Sequence, residues 1–251
     1  MRVVQTQDVG SVTSTAASVR WRSVLVAAVL GQIAFNVVTM VVNGAVVPPL
    51  IVLSGLVVVG LVVLRVNRQV GAVVLGAVSV FHLAGASRFA VDAAVHPESF
   101  WDFWLAWSTV VAAVLAVVAA VPVWRRDDGG GRRARVVWLA AAGLIVGAGV
   151  VGAVATVAYE SDAAQAGDIA LVARSVEFEP ADVSVEAGPV AVFVENVDAL
   201  RHTFTVDELD VDLELPGGKA ARVEFIAEPG TYDFYCAVEG HEAMRGELTV
   251  D

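Results

Sequence analysis

Cysteine is nearly absent from this 251-residue chain, which contains one, Cys236. A single cysteine excludes an intramolecular disulfide, a zinc or iron–sulfur site built from cysteines alone, and a CxxC redox motif. It also excludes a lipid anchor on an N-terminal cysteine, because Cys236 lies far from the N-terminus. Any metal or redox chemistry of Cys236 therefore needs partners of other residue types.

Charge is also scarce, since 17% of the residues are charged and 57% are hydrophobic, which is too apolar for an ordinary soluble protein. The charge is unevenly placed. Residues 159–251 hold five of the 16 Lys and Arg and 21 of the 27 Asp and Glu, a net charge of −16, whereas the first 158 residues sum to +5. This division predicts one part in an apolar solvent and one part in water.

Five apolar runs are each close to the roughly 20 residues that a helix needs to cross a bilayer. They cover residues 23–42, 48–64, 70–87, 103–124 and 136–158. The first run lacks a small-residue cleavage site and is followed at once by another, so we interpret it as a retained span, with a cleaved signal peptide as the alternative. The prediction is a segment 1–22, a five-helix all-α transmembrane bundle at 23–158, a short flexible linker at 159–167 and a further domain at 168–251.

The arginines predict the orientation of the bundle, because cytoplasmic connections are enriched in basic residues. Ten arginines lie before the first run or in the connections between runs two and three and between runs four and five. They are Arg2, Arg20 and Arg22, then Arg65 and Arg68, then Arg125, Arg126, Arg132, Arg133 and Arg135. The alternate connections, 43–47 and 88–102, hold one basic residue, Arg88. The chain is therefore expected in the cell membrane, with a cytoplasmic N-terminus and an extracytoplasmic C-terminal domain.

From residue 168 the sequence changes to short β-branched or aromatic runs separated by Gly and Pro. Seven or eight strands in about 84 residues predict an all-β Greek-key sandwich. In TYDFYC the period of two places Phe234 and Cys236 on one face, and in HTFTV it places His202 and Phe204 on one face. We therefore expect His202 and Cys236 to converge at the ends of two core-facing strands.

The segment CAVEGHEAMRG carries Cys236, His241 and Met244 on one loop, and His202 lies upstream. A thiolate, two imidazoles and a thioether are the donor set typical of a type 1 copper site. Zinc is the competing metal, but structural zinc sites usually use several thiolates or more histidines. A lone cysteine is more often a small buried hydrophobe, yet that interpretation does not explain why Cys236, His241 and His202 occur together in this pattern.

These motifs resemble the blue-copper (cupredoxin) family, in particular its halocyanin-, plastocyanin- and azurin-like members, over about a third of the chain. The matching elements are VEFEP, VEAG, the Asn-Val-Asp turn before His202, PGTYDFYC and GHEAMRGELTV. The resemblance implies an eight-stranded Greek-key barrel with one type 1 copper, Cu(I)/Cu(II), held by His202, Cys236, His241 and Met244. Two residues separate His241 from Met244 here, fewer than in azurin-like and plastocyanin-like members.

The resemblance also implies an electron carrier rather than an enzyme, with His241 as the exit for the electron and Asn196 as either a hydrogen-bonding neighbour of the site or an ordinary turn residue. With four histidines and one cysteine, the chain lacks the residues for a second histidine-rich copper centre or a binuclear one. We expect a membrane-anchored carrier that passes single electrons between redox proteins, such as respiratory-chain components. The expected partners are these proteins and the lipid bilayer, with no nucleic acid and no small-molecule substrate.

Two other functions stay open at this point. One is a copper-binding membrane protein that delivers or senses copper, and the other is a metal-free sandwich used for protein contacts. Within the helical half, His82 is expected to be a hydrogen-bonded packing residue, and a second copper or quinone site at His82 or His96 is the alternative.

Overall fold

The structure, a computed structural model, describes residues 19–127 and 131–251. Each of the five predicted spans is confirmed as an α-helix long and apolar enough to cross a membrane. The helices are α1 (Trp21–Val42), α2 (Pro48–Val66), α3 (Arg68–Val95), α4 (Phe100–Trp124) and α5 (Gly131–Ala158). Arg2 and most of the predicted N-terminal segment lie outside the described residues.

Helix α3 is longer than its apolar run predicts. The run ends at residue 87, but the helix continues to Val95 because the next residues, RFAVDAAV, include several good helix formers and no Gly or Pro. Its 28 residues span about 42 Å at 1.5 Å per residue, more than the roughly 30 Å hydrocarbon core. Arg88 and Asp92, predicted for a loop, therefore lie on a helical extension beyond the apolar core.

Helix α4 is the centre of the bundle and packs against α1, α3 and α5. Small residues permit this close packing: a Cβ at Gly152 of α5 would lie 3.3 Å from the ring of Phe100. Polar side chains are hydrogen-bonded inside the bundle, where Gln32 donates to Ser79 (3.0 Å) and its Oε1 lies 3.0 Å from Nδ1 of His82. His82 thus has the packing role expected from the sequence.

The basic connections meet at one end of the bundle. Gln69, at the start of α3, donates to the carbonyl of Trp124 (3.2 Å) and accepts from Arg126 (3.0 Å) at the end of α4. The C-terminal end of α5 lies at the opposite end and leads into the β domain. Both ends of the bundle therefore differ in charge in the way the arginine pattern predicts.

The β domain is a two-sheet sandwich of nine short strands. They are β1 (Ile169–Arg174), β2 (Glu177–Glu179), β3 (Asp182–Val185), β4 (Gly188–Asn196), β5 (His202–Val206), β6 (Val211–Leu215), β7 (Ala220–Ala227), β8 (Gly230–Tyr235) and β9 (Arg245–Val250). One sheet has the order β2-β1-β4-β7 and the other β3-β9-β8-β5-β6. The sandwich class is as predicted; the strand count is higher because Pro180, which lacks an N–H donor, lies where the chain leaves β2 for β3 in the other sheet.

Apolar side chains from both sheets fill the space between them. At the centre the rings of Phe178, Phe204 and Phe234 lie with centroids 5.1 to 6.1 Å apart, in edge and tilted arrangements that aromatic pairs favour. Cys236 and Met244 belong to the same buried cluster. The ligand candidates therefore lie at one end of a rigid, closely packed core.

The predicted flexible linker is hydrogen-bonded to β7. Asp162 donates its backbone N–H to Ala220 (3.1 Å) and accepts from the backbone of Arg222 (2.8 Å), and Ser161 accepts from Ala220 (3.2 Å). These bonds cover the otherwise open edge of the four-stranded sheet. The segment between bundle and sandwich is thus held against the β domain.

Candidate metal centre

Neighbouring strands bring the predicted ligands together. His202 is the first residue of β5, and Cys236 directly follows β8, which pairs with β5. His241 and Met244 lie in the connection from β8 to β9. The pairing of β5 with β8 therefore sets His202 opposite the loop that carries the other three residues.

Two nitrogen atoms and one sulfur atom converge in the interior. Nδ1 of His202 lies 3.1 Å from Nδ1 of His241, and Sγ of Cys236 lies 3.8 Å and 3.6 Å from these two atoms. Within residues 19–127 and 131–251, they form the one group of three His, Cys or acidic residues whose ligand atoms lie within 4.8 Å of one another. This donor set at this separation fits one copper ion.

Asp198 fixes the orientation of the His202 ring. Its Oδ2 lies 3.0 Å from Nε2 of His202, and a carboxylate accepts a hydrogen bond only from a protonated ring nitrogen. In the neutral imidazole Nδ1 then keeps its lone pair, which points toward His241 and Cys236. Histidine ligands of metals commonly have such a carboxylate partner.

Asp198 is itself held by backbone donors from the turn between β1 and β2. It accepts from the N–H groups of Ser175 (3.0 Å) and Val176 (3.3 Å), which have φ angles of 55° and 62°. A β-branched residue rarely adopts this left-handed conformation. Burial alone would raise the pKa of Asp198, but these hydrogen bonds and that of His202 outweigh it and lower the pKa.

Burial controls the protonation of the three donor residues. It lowers the pKa of His202 against the opposing contact with Asp198, and it lowers the pKa of His241 to about 4, with His202 adding to the effect. Both imidazoles are therefore neutral at pH 7 and can bind a metal. Burial also raises the pKa of the Cys236 thiol, so a bound cation is needed to stabilise the thiolate.

Thr203 connects the two halves of the centre. Its backbone N–H lies 3.4 Å from Sγ of Cys236, and its hydroxyl accepts from the N–H of Ala237 (2.7 Å). Donors directed at a cysteine sulfur reduce its negative charge and so influence the redox potential of a bound metal. Because Thr203 follows His202 in β5, the same strand positions a ligand and a donor to the sulfur.

Backbone hydrogen bonds hold the ligand loop in a tight turn. The N–H of Cys236 donates to the carbonyl of Met244 (3.0 Å), the N–H of Met244 to His241 (2.8 Å), and the N–H of His241 to Val238 (3.0 Å). The side chain of Met244 is fully buried, with 0% exposed, beside Cys236 in the core cluster. The loop thus keeps three of the four predicted ligands close together.

Asn196 shapes the turn before His202. Its side-chain amide donates to the carbonyls of Leu200 (2.9 Å) and Leu215 (2.8 Å), and its Oδ1 accepts from the N–H of Asp198 (2.9 Å). Of the two roles considered for Asn196, the contacts favour the turn residue, which in turn places Asp198. The sequence reasoning missed Asp198, although an acidic residue four positions before a candidate ligand is a usable signal.

The ligand end of the sandwich lies against the C-terminal end of α3 and the N-terminal end of α4, and Arg201 is the centre of this contact. Its guanidinium donates to both carboxylate oxygens of Glu214 (2.9 and 2.7 Å) and to Asp92 on the extension of α3. Its backbone N–H donates to Asp102 of α4 (2.9 Å). The Arg201 side chain is 6% exposed, and it immediately precedes His202.

Two further contacts lie on the same interface. His96 lies between Glu98 (3.2 Å) and Glu214 (3.6 Å), and Arg88 of α3 lies 3.4 Å from Glu239 in the ligand loop. The Arg88 pair is exposed and contributes little to stability. Both loops that carry candidate ligands therefore touch the bundle, a relation that hydropathy and strand alternation did not predict.

Comparison with known proteins agrees with this geometry. Residues 147–250 match the model of the cupredoxin-like domain, starting within α5. The chloroplastic plastocyanin of Oryza sativa subsp. indica is 30% identical over 156 residues, which cover 56% of this chain and 100% of that protein. The plastocyanin of Hordeum vulgare is 29% identical and covers 57% of this chain and 97% of its own length.

Among solved structures, a reduced mutant of amicyanin matches with 24% identity over 35% of this chain and 86% of that chain. Its TM-score of 0.29 is too low to carry weight. The match to the family model and the similarity to plastocyanin show that the chain belongs to the cupredoxin family of blue copper proteins. It is a cupredoxin-like electron-transfer protein with one type 1 copper as its cofactor, joined to five apolar helices.

Proposed function

We propose that the chain is a multi-pass membrane protein that carries single electrons between redox partners on the extracytoplasmic face of the cell membrane. His202, Cys236 and His241 would hold the copper ion, with Met244 as a weaker fourth ligand. The observation that carries the proposal is the convergence of two imidazole Nδ1 atoms and one sulfur within 4.8 Å in a buried core. Bound copper supplies the one-electron Cu(I)/Cu(II) couple.

The residues around the centre keep its geometry constant. Asp198 fixes the ring of His202 (3.0 Å), and Thr203 directs its N–H at the cysteine sulfur (3.4 Å). Because the ligands lie at the end of a closely packed sandwich, they move little when the charge of the metal changes. A carrier needs this rigidity, because a ligand set that keeps its geometry accepts and releases an electron with little rearrangement.

The proposed orientation follows from the charge at the two ends of the bundle. The end with Gln69 and Arg126 carries the basic connections, and the other end carries Asp92, Asp102 and the acidic sandwich. Cytoplasmic connections are enriched in Lys and Arg, so the copper domain is assigned to the extracytoplasmic side. A cysteine-accessibility measurement on the variant Ser161→Cys with an impermeant reagent, in a Cys236→Ser background, tests this assignment.

The central experiment is the visible and paramagnetic resonance spectrum of the copper-loaded full chain in detergent. We expect a strong thiolate-to-copper absorption band in the wild type and its complete loss in Cys236→Ser. His96→Gln, which changes a histidine outside the cluster, is the matched control and should keep the band. A wild-type protein that binds copper(II) without this band would refute the proposed ligand set.

Met244 is tested separately, because an axial thioether is a weak ligand whose main effect is on the redox potential. Met244→Leu should keep the colour and shift the potential. The same substitution at Met40 in α1, far along the chain from the ligand loop, is the control and should leave the potential unchanged. An unchanged potential in Met244→Leu would remove this residue from the ligand set.

Copper delivery is the alternative function, and the burial of the ligands argues against it. His202 is 1% and His241 8% exposed, so a chelator or partner has little access to the metal. A carrier keeps its copper through redox cycles, whereas a delivery protein exchanges it. Rapid loss of copper to a chelator, in either oxidation state of the full chain, would favour delivery.

A further inference from the structure

A cavity of about 510 Å³, open to the surroundings on one side, separates the copper end of the sandwich from the ends of α4 and α5 next to it. Phe100, Trp101 and residues of the last turns of α5 form its wall on the bundle side. The 197–199 turn and Gly217–Gly218 form its wall on the sandwich side. Its volume lies in the range of small-molecule sites, about 300–1,000 Å³.

The bundle wall of the cavity is apolar and lies at the outer end of the helices. Val157, in the last turn of α5, is 85% exposed, and Ala153, one turn earlier, is also exposed. Helix residues that are apolar and exposed at this position face the outer part of a bilayer. A molecule dissolved in the membrane can therefore reach the cavity by lateral diffusion.

The chemistry of the cavity favours a neutral ring with hydroxyl groups. The indole of Trp101 and the ring of Phe100 lie with centroids 5.1 Å apart, and they present aromatic faces and edges to an occupant. Asp198 is the one charged residue among the described lining residues, and its carboxylate accepts hydrogen bonds. The anionic headgroup of a phospholipid is disfavoured beside it, in a domain with a net charge of −16.

Asp198 also connects the cavity with the metal centre. The same carboxylate that lines the cavity lies 3.0 Å from Nε2 of His202. A molecule hydrogen-bonded to Asp198 is therefore separated from His202 by one side chain. Contact between Arg201 and the bundle keeps this end of the sandwich in place over the cavity.

We propose that this cavity binds the ring of a lipid-soluble quinone in its hydroquinone form, with a ring hydroxyl donating to Asp198 and the ring packed against Trp101. The proposal rests on the proposed electron-carrier function for its purpose, because it names the class of reductant. A hydroquinone would give up two electrons and two protons to become quinone, so it would serve two one-electron turns of the carrier and release both protons to water. The proposal differs from the sequence-based expectation of no small-molecule substrate. The site differs from His82 and His96, the positions considered for a quinone on sequence grounds.

The test is a fluorescence titration of the full chain, with and without copper, in nanodiscs of zwitterionic phospholipid. The probe is a decyl-substituted benzoquinone, whose ring quenches nearby tryptophan through the ring contact alone, and its hydroquinone, which can also donate to Asp198, is added as a competitor that should bind more tightly. We expect saturable quenching that is reduced in Trp101→Phe, where Trp104 with its ring centroid 6.0 Å away remains as a reporter, and unchanged in Trp138→Phe, the matched control on the inner half of α5. The hydroquinone should reverse the quenching.

Two adjacent residues of α5 give a second, independent pair of variants. Ala153→Phe places a ring in the cavity and should weaken binding at least about tenfold, equal to about 1.4 kcal/mol. Val154→Phe places the same ring on the neighbouring surface position, which does not line the cavity, and should bind like the wild type. Equal effects of the two substitutions would overturn the proposal.

Quenching that rises without saturation would show that the probe merely dissolves in the lipid, and that result also overturns the proposal. The quinone titration and the test of the electron-carrier function can fail separately. Quinone binding is measured without copper, and the copper absorption band is recorded without quinone. A chain with the copper band but no saturable quenching keeps the carrier and loses the hydroquinone site. Saturable quenching in a chain that gives no copper band keeps the site and loses the carrier.

Discussion

The sandwich and the bundle place their polar and apolar side chains in opposite ways. In the sandwich Phe204 and Phe234 are each 1% exposed, and the surface is strongly acidic. In the bundle Gln32 is fully buried while Phe81 is 71% exposed. Each part presents to its surroundings the surface that its solvent favours, water for one and hydrocarbon for the other.

Because the two parts face different solvents, they are stabilised by different interactions. The sandwich gains from removing apolar area from water, so loss of a core ring is costly. The bundle gains from close packing of small residues and from a few internal hydrogen bonds, because lipid solvates its apolar side chains as well as a helix does. The interface around Arg201 joins the two parts by charge pairs rather than by an apolar core.

The largest expected effect follows from a core substitution in the sandwich. Phe234→Ala should lower the free energy of unfolding of the sandwich by about 3–5 kcal/mol while the helices stay folded. Thermal unfolding followed by near-ultraviolet and far-ultraviolet circular dichroism separates the two parts. Ile226→Ala, at a position 76% exposed, is the control and should change little. If helices and strands melt at the same temperature in Phe234→Ala, the sandwich and the bundle do not unfold independently of each other.

The next largest effect is expected at the interface. Arg201→Leu removes a buried guanidinium and leaves the carboxylates of Asp92 and Glu214 without their partner, a loss of about 2 kcal/mol once the partial exposure of both carboxylates is allowed for. Hydrogen exchange should become faster at the 197–201 turn and at the end of α3. Arg222→Leu, which breaks ion pairs within the sandwich, is the control and should leave α3 protected. Unchanged hydrogen exchange at both sites in Arg201→Leu would show that the ion pairs of Arg201 do not stabilise the interface between sandwich and bundle.

A smaller effect is expected next to the metal centre. Asp198→Asn keeps the shape of the residue but exchanges the charged acceptor at His202 for a neutral one, and should weaken copper binding about tenfold. Competition with a chelator of known affinity measures the change. Asp207→Asn, which alters the carboxylate bonded to Tyr235, is the control. Equal affinities for the two variants would limit Asp198 to a role in the turn.

The smallest effect is expected inside the bundle. Gln32→Leu removes the partner of Ser79 and His82, and buried hydrogen bonds between membrane helices contribute only about 0.6 kcal/mol on average. Unfolding of the bundle in mixed detergent micelles should therefore shift slightly, and Gln69→Leu at the exposed basic end should shift it less. A loss as large as that of Phe234→Ala would mean that the bundle depends on its polar interior more than on the close packing of small residues.

Sequence patterns alone predicted much of both parts. Apolar runs give the helices because the thickness of the bilayer imposes a length, and alternation gives the strands because side chains point to opposite faces in turn. Prediction fails where no physical requirement, such as bilayer thickness or alternation between two faces, fixes the residue pattern. Hydropathy could not predict the extension of α3 to Val95, because residues beyond the hydrocarbon core are not required to be apolar.

The sequence predicted the candidate ligands His202, Cys236, His241 and Met244, because their donor chemistry suits one metal and the last three lie close together in the chain. The tertiary structure decided what surrounds them. It placed Asp198 on His202, Thr203 at the sulfur of Cys236, and the bundle beneath both ligand loops. These contacts join residues up to about a hundred positions apart, and such distances in the chain become short distances in space only once both parts have folded and packed together.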